Sequence, residues 1–246
     1  MTQSRTRAAQ SLAEVVERMR AIRDRLDPRD GVACFNRTSL RFTELVGERL
    51  GAGHFEDRDF IERLDVVFAN LYFDALDAAE AGRPVSPAWQ PLFEARDDRM
   101  VRPVQFAFAG MNAHIGHDLP LAVVAACIDH RTTPDTPPVH ADYLKLNELL
   151  AQAEAEARAS FQAEVGRAGT RAAGPLRHIV AGFSVARARD GAWATTQTLW
   201  HERNLRPVFD ATLTAVTSGT ELAGRLLVTP VLPPAERPDG PADGSA

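Results

Sequence analysis

The sequence predicts an all-α fold: an irregular, single-domain helical bundle with proline-rich loops and a disordered C-terminal tail. Apolar residues recur at intervals of three and four along most of the chain, as they do on one face of an α-helix. Alternating apolar and polar runs rich in Val, Ile and Thr, which are typical of strands, are nearly absent. We therefore expect a flexible N-terminus at residues 1–10, one helical domain at 11–228 and a disordered tail at 229–246.

Three amphipathic helices are predicted in the first third of the chain. The first spans residues 11–26 and ends at Asp27-Pro28, because the residue before a proline disfavours the helical conformation. The second spans 32–50 and ends at the glycine-rich residues 51–53. The third, at 59–78, carries an apolar stripe of about five turns whose face is interrupted by Asp65.

The middle of the chain combines a proline-rich loop with a long apolar segment. Residues 82–91 contain three prolines around Trp89, so we expect an ordered loop that the indole anchors. After this loop, one helix is predicted on each side of a polar stretch at 112–120. The two flanking helices are expected to meet at a break, because Gly116 and Pro120 both weaken a continuous helix.

The second half of the chain predicts further helices separated by loops. In order, these elements are a proline-rich connection at 132–138, a long acidic helix at 139–165, a loop at 166–174, and two or more helices within 177–199 and 200–227. No internal repeat of a solenoid period is found.

Composition and charge narrow the classes of partner. The formal net charge is −5 and both signs are mixed along the chain, so no basic stripe is present to follow a nucleic-acid backbone. No window approaches the roughly 18 apolar residues of a membrane span, and the N-terminus lacks a signal-peptide pattern. Cys34 and Cys127 lie far apart among apolar neighbours, which favours two buried, reduced thiols. We expect a cytoplasmic protein with a small-molecule substrate and no nucleic-acid or membrane partner; its oligomeric state stays open.

The best candidate site is a polar cluster formed by Asn112, His114, His117 and Asp118. If the helix continues to Asp118, His114 lies beside both His117 and Asp118, so three ligand-type side chains share one face. Two imidazoles and a carboxylate suit a divalent metal such as Zn, Fe or Mn, with positions left for water or substrate. We predict His114, His117 and Asp118 as metal ligands, and Asn112, His114 and Asp118 as catalytic residues.

A structural interpretation of the same cluster stays open. Asp118 stands two residues before Pro120 and could cap a helix that begins there, while His114 and Asn112 could satisfy buried backbone groups at the break. His-x-x-His-Asp is also a weaker metal signature than the His-Glu-x-x-His motif.

Further candidates come from other helices. Asp65 lies on an apolar face, which is unfavourable unless its carboxylate is paired, so we predict it as an additional catalytic residue, either an outside metal ligand or a supporting group. Arginine can clamp a carboxylate or phosphate, and an aromatic neighbour can close the pocket. The predicted substrate-binding residues are Tyr72, His140, Tyr143, Arg187 and Trp193. The alternative is that they are core, first-turn and solvated helix residues.

Several familiar chemistries lose their main support. The chain contains no phosphate-binding Gly-x-x-x-x-Gly-Lys-Ser/Thr loop, no Gly-x-Gly-x-x-Gly that opens a βαβ unit and no Gly-x-Ser-x-Gly elbow. The paired Glu-x-x-His motifs of four-helix di-iron proteins are absent as well. We expect no nucleotide cofactor.

The Asn-Ala-His-Ile-x-x-Asp-Leu-Pro core at 112–120 carries a resemblance to a known family. Together with the helix of Asp65 and Phe68 and the stretch from His140 to Asn147, it resembles a family of helical bacterial proteins of unknown function. The resemblance extends from about residue 36 to 227 and implies no mechanism. Its two unspecified positions are Gly116 and His117 here, so it gives His117 no support as a ligand.

A weaker comparison concerns the His117-Asp118 doublet. It is similar to the doublet of the all-α, metal-dependent phosphohydrolases, which also need an upstream His and a downstream Asp. His54 and Asp190 are the candidates here, although His54 lies in a glycine-rich loop. The comparison is a fold-level analogy.

Three functional hypotheses follow. The first is a metal-dependent small-molecule enzyme, hydrolase-like or a metal-assisted lyase or cyclase, that uses the His/Asp cluster. The second is a metal-free helical pocket protein that binds or isomerises an apolar small molecule, with His114 and Asp118 as an acid-base or orienting pair. The third is a non-enzymatic helical interaction protein.

Overall fold

The structure, a computed structural model, describes residues 7–168 and 182–230. Every regular element within those residues is helical, so the all-α prediction is confirmed. The helices are α1 (Leu12–Arg25), α2 (Gly31–Gly51), α3 (Arg58–Glu80), α4 (Gln90–Ala95), α5 (Pro103–Ala113), α6 (Leu119–Asp129), α7 (Pro137–Ala168), α8 (Val185–Glu202) and α9 (Arg206–Leu227). A short π-helical segment, His114–Asp118, joins α5 to α6.

Some sequence predictions fall partly outside the described residues. These are the N-terminus before residue 7, the loop and helix start predicted between 169 and 181, and the tail beyond residue 230. Within the described part, Ala9 is buried, and its backbone N–H and carbonyl both pair with the side-chain amide of Asn70 at 2.9 Å. Helix α7 continues to Ala168, past the predicted loop start at 166.

Side-chain caps explain why the first three helices begin where the sequence predicts. Ser11, Asp30 and Asp57 each accept a hydrogen bond from a backbone N–H in the first turn of the helix that follows. Such caps satisfy N–H groups that have no partner inside the helix. The three helices therefore begin within one residue of their predicted starts.

Helices α2 and α5 cross closely in the core, and a glycine makes that crossing possible. A Cβ atom at Gly110 of α5 would lie 2.3 Å from Cγ of Phe35 on α2, so the close approach requires glycine. Phe35 contacts the rings of Tyr72 and Trp89 edge-on, with centroids 5.0 and 5.4 Å away. It also contacts the ring of His114, and this aromatic cluster thereby supports the polar segment after α5.

The break predicted between α5 and α6 is a π turn. The backbone N–H of Leu119 donates to the carbonyl of His114, five residues earlier, and the chain stays helical on both sides. Pro120 lies in the first turn of α6, where a missing N–H costs little. At Gly116 a Cβ would lie 3.0 Å from Oγ1 of Thr220 on α9. The two predicted helices are therefore present as α5 and α6, but a π turn joins them in place of the predicted break.

The remaining predictions concern the C-terminal helices, the cysteines and membrane spans. Helix α9 begins at Arg206 rather than at residue 200, because Pro207 is favoured in a first turn and not in a helix interior. Cys34 and Cys127 are buried thiols, as predicted. In residues 7–168 and 182–230, no helix is long and apolar enough to span a bilayer.

Candidate functional site

The carboxylate of Asp118 is the centre of the polar cluster. It is 3% exposed and accepts three hydrogen bonds. The indole N–H of Trp89 and Nδ1 of His114 both donate to Oδ2, at 3.0 and 2.9 Å, and Nδ1 of His117 donates to Oδ1 at 2.7 Å. Although burial opposes ionisation, the hydrogen bonds from the two histidines hold the pKa of Asp118 below its usual range. Asp118 is therefore a buried carboxylate.

The charge of Asp118 determines the tautomers of both histidines. An ionised carboxylate only accepts hydrogen bonds, so Nδ1 of His114 and Nδ1 of His117 must each carry a proton. In each neutral imidazole, Nε2 is then the basic nitrogen. Nε2 of His117 lies 3.2 Å from Oγ of Ser86, whose hydroxyl can donate to it. A continuous hydrogen-bonded row thus runs from Ser86 through His117 to Asp118.

The row leads from the surface into the core. Ser86 is partly exposed, in the proline-rich loop before α4, whereas the side chain of His117 is 11% exposed and that of Asp118 is 4% exposed. Ser86 is thus the most exposed residue of the row. The carboxylate at the inner end is shielded, which strengthens its interaction with the imidazole.

His114 lies inside the aromatic cluster. Its ring stacks on Phe68 with centroids 3.5 Å apart and planes 5° from parallel, and Phe35, Trp89 and Tyr72 surround it at longer distance. Burial lowers the pKa of His114 even though Asp118 acts to raise it. Nε2 of His114 has no hydrogen-bond partner among the described residues. His114 is consequently a neutral, enclosed imidazole that supports Asp118.

The three side chains predicted as metal ligands do lie together, but they form hydrogen bonds with one another. Both histidines use Nδ1 to bind Asp118, and both oxygens of Asp118 accept hydrogen bonds. Over the described ranges, no group of three or more His, Cys, Asp or Glu side chains is arranged to hold a metal ion. The donor types suit a divalent metal and this geometry does not, so metal binding stays a prediction.

The capping alternative for Asp118 is wrong. Its side chain makes no cap hydrogen bond at the start of α6, because both oxygens are used by Trp89 and the histidines. The structural interpretation also expected Asn112 to satisfy a buried backbone group. Its Nδ2 does so by donating to the backbone carbonyl of Thr220 at 2.8 Å. The amide thereby holds α9 against α5 and makes no hydrogen bond to His114 or Asp118.

Tyr72 and Asp65, both on α3, do not bind the cluster directly. The Tyr72 hydroxyl donates to Oδ1 of Asn36, and burial raises the pKa of the phenol, so it remains a neutral wall of the aromatic cluster. Asp65 lines a separate small cavity together with Phe68. No hydrogen bond or ion pair joins Asp65 to His114 among the described residues.

A second aromatic group forms between α7 and α8. His140 stacks on Trp193 at 4.4 Å, and Tyr143 packs against the same indole at 4.5 Å. His140 and Trp193 line an open depression of about 370 Å3. Three of the predicted substrate-binding residues therefore do come together: His140 and Trp193 line the depression, and Tyr143 is buried against the indole. Arg187 is exposed, and its backbone N–H donates to the cap residue Ser184.

Comparison with known proteins identifies the family. The model of a family of unknown function, DUF5995, matches residues 12–230. The chain belongs to this family. The predicted resemblance to an uncharacterised family is thereby confirmed. No curated protein and no solved structure matches the chain.

Membership in DUF5995 leaves the chemistry to be argued from the residues. Sequence reasoning found His114, His117 and Asp118 but did not single out Ser86, and it recognised Trp89 only as an anchor. Ser86 precedes a proline in a loop 31 residues before His117, and no motif links the two positions. The proline-rich loop around a single tryptophan was the one available signal that this segment is ordered.

Proposed function

We propose that the protein is a small-molecule hydrolase that cleaves an ester-type substrate, with Ser86 as nucleophile and His117 as general base. The supporting observation is the hydrogen-bonded row in which Ser86 Oγ lies 3.2 Å from His117 Nε2 and His117 Nδ1 lies 2.7 Å from Asp118 Oδ1. Such a constellation is recognised by geometry and roles rather than by order along the chain. The absence of a Gly-x-Ser-x-Gly elbow therefore does not count against it.

The first half of the reaction transfers the acyl group to the enzyme. Oγ of Ser86 attacks the substrate carbonyl carbon while Nε2 of His117 takes the hydroxyl proton. The resulting imidazolium is stabilised by the buried carboxylate of Asp118. His117 then returns the proton to the departing alcohol, and the bond between the carbonyl carbon and that oxygen breaks to leave an acyl-serine.

The second half releases the product. Nε2 of His117 takes a proton from water, whose oxygen attacks the acyl-serine carbonyl. The bond to Oγ breaks, Oγ recovers the proton from His117, and the carboxylic acid leaves. Water is the only co-reactant, so the step is balanced.

His114 and Trp89 have a positioning role in this proposal. Each donates a hydrogen bond to Oδ2 of Asp118, which keeps the carboxylate ionised and leaves Oδ1 facing His117. In serine hydrolases of this type, such an aspartate holds the imidazole in the productive tautomer. The same two donors explain why a carboxylate is tolerated at this depth.

The test is labelling by a fluorophosphonate probe, with the modified residue identified by peptide mass spectrometry. We expect the label on Ser86, none on Ser86→Ala, and labelling at least about 100-fold slower in His117→Gln, because general-base assistance is worth roughly that factor or more. Ser218→Ala, which changes an exposed serine on α9, is the matched control and should label normally. An unlabelled wild type, or full labelling of Ser86→Ala, would overturn the proposal.

The metal-dependent form of the hydrolase has its own experiment. Elemental mass spectrometry on untagged protein would compare the wild type with His114→Ala. Near-stoichiometric divalent metal that disappears in the variant would favour a metal-bound water as nucleophile in place of Ser86. Comparable low metal content in both proteins would remove the metal from the mechanism.

A further inference from the structure

The outward side of α9 is an apolar surface that the rest of the fold leaves exposed. Seven exposed residues lie within one arc of about 100°, since successive residues of an α-helix are about 100° apart. Together they form the α9 face, which consists of Val208, Ala211, Ala215, Ser218, Gly219, Leu222 and Leu226. None of these residues is charged, whereas the solvent side of a helix in a globular protein normally carries charged and polar side chains. Packing within one chain therefore does not explain this face.

The opposite side of α9 is the one that packs on the protein. Its three buried residues are Thr220, Gly224 and Leu227, and all three lie on the side of the helix away from the α9 face. At Gly224 a Cβ would lie 3.1 Å from Cγ of Pro91 in α4. The amide of Asn112 holds the same side of α9 through the carbonyl of Thr220. The α9 face is therefore not used to attach the helix to the rest of the chain.

The larger apolar side chains of the α9 face lie at its two ends. Leu222 and Leu226 are each 63% exposed at the C-terminal end, and Val208 is 47% exposed at the N-terminal end. Within residues 7–168 and 182–230, these are three of the six large apolar residues that are exposed. Single exposed apolar residues are normal, but several on one continuous face indicate an interaction surface.

The order of large and small residues makes the α9 face complementary to its own reverse. From Val208 to Leu222 the residues recur at alternating intervals of three and four, which is typical of paired helices. In an antiparallel pair, Leu222 of one copy would lie opposite Ala211 of the other, and Leu226 opposite Val208, so that each layer combines a larger with a smaller side chain. A parallel pair would instead place leucine against leucine and hold the small central residues apart. The antiparallel arrangement also opposes the two helix dipoles favourably.

We propose that two copies of this chain form a homodimer in which their α9 faces pair antiparallel around a twofold axis. A twofold interface uses the same surface on both copies, and a face that complements its own reverse meets that requirement. The face is about 30 Å long, and a helix with its side chains is about 10–12 Å wide. Each copy thus buries several hundred Å2, at the low end for specific interfaces. The dimer is therefore reversible, and its population depends on the protein concentration.

Light scattering coupled to size-exclusion chromatography, over a wide range of protein concentration, tests the dimer. For the wild type we expect the mean mass to rise from that of one chain toward that of two as the concentration increases. Ala215→Arg brings two like charges, one from each copy, to the centre of the interface, so it should weaken association at least about 100-fold. Ala194→Arg, the same change at an exposed alanine of α8, is the matched control and should dimerise as the wild type does.

Cross-linking with a short bismaleimide tests the antiparallel order. Cys34 and Cys127 are buried, so the reagent should react with cysteines introduced on the α9 face. A mixture of Ala211→Cys and Leu222→Cys proteins should give a covalent dimer that contains one copy of each. Neither variant alone should be cross-linked, because the same residue in the two antiparallel copies is about 16 Å apart along the helix axis.

A wild type that keeps the mass of one chain at every concentration would overturn the proposal. So would an Ala215→Arg variant that circular dichroism shows to be folded and that dimerises as strongly as the wild type. Cross-linking of each cysteine variant with itself would contradict the antiparallel arrangement. These readouts do not involve Ser86, so the hydrolase proposal stands or falls separately.

Discussion

At the scale of single residues, Asp118 depends on its three donors. A carboxylate buried to this degree is stable only when hydrogen-bonded, and Trp89, His114 and His117 supply those bonds. The sequence around Asp118 does not predict the hydrogen bond from Trp89, which lies 29 residues earlier in the chain. The tryptophan is therefore both an apolar anchor and a specific donor.

Trp89→Phe should be more destabilising than the loss of an indole elsewhere. Phenylalanine keeps most of the ring but leaves Asp118 without one donor, which costs about 1–3 kcal/mol of unfolding free energy for a charged, buried acceptor. Urea denaturation at pH 7 measures the change. Trp200→Phe is the control, because Trp200 is partly exposed and its indole N–H makes no hydrogen bond within residues 7–168 and 182–230. Equal losses in the two variants would contradict the importance of the bond to Asp118.

At the scale of helices, close crossings depend on glycines that face a neighbour. Gly110 meets Phe35, and Gly116 meets Thr220 at the π turn, whereas a Cβ at Gly219 of α9 would meet nothing within 4 Å. The same residue type therefore has opposite effects at different positions. Periodicity predicts which stretches are helical, but it does not show which glycine lies at a crossing.

Gly110→Ala and Gly219→Ala should change stability in opposite directions. At Gly110 the new methyl group would lie 2.3 Å from Phe35, so the α2–α5 crossing must shift, at about 1–3 kcal/mol or more. At Gly219 alanine fits and gains roughly 0.5–1 kcal/mol from its higher helix propensity. Thermal unfolding followed by circular dichroism compares them. A neutral Gly110→Ala would mean that the helices do not approach this closely.

At the scale of the whole molecule, the buried charges sort into two kinds. Asp118 has hydrogen-bond donors around it and a lowered pKa, whereas Asp65 has no donor among the described residues and a raised pKa. Ionisation of Asp65 therefore opposes folding, and ionisation of Asp118 favours it. The free energy of unfolding should therefore depend on the ionisation of both Asp65 and Asp118, each over its own range of pH.

Asp65 should make the protein less stable as pH rises through neutrality. Its pKa in the folded state is about 7, against about 3.9 in an unfolded chain, so its contribution is fully present below about pH 4 and is lost as pH rises through 7. The loss is of the order of 4 kcal/mol at most. Urea unfolding of wild type and Asp65→Asn from pH 5 to 8 checks this. A wild-type slope that persists unchanged in Asp65→Asn would exclude Asp65 as its source.

Much of the helical architecture is readable from sequence because helices are local. Intervals of three and four, cap residues such as Ser11 and Asp30, and the proline clusters are all encoded within a few positions. Predicted ends therefore agree closely with the observed ones in α1 to α3. The π turn was missed because Gly116 and Pro120 are compatible with a break or a bulge, and packing against Thr220 selects the bulge.

The polar cluster, too, could be predicted from the sequence only in part. His114, His117 and Asp118 are within five positions of one another, so helical spacing alone brings them together and their types predict proton-transfer or metal chemistry. The sequence by itself therefore determined the helices, the buried cysteines and the centre of the site. Tertiary packing decided the rest, because Ser86 and Trp89 approach from a distant loop and the residues that bury Asp65 come from several helices. Such contacts depend on how helices cross, which local periodicity does not encode.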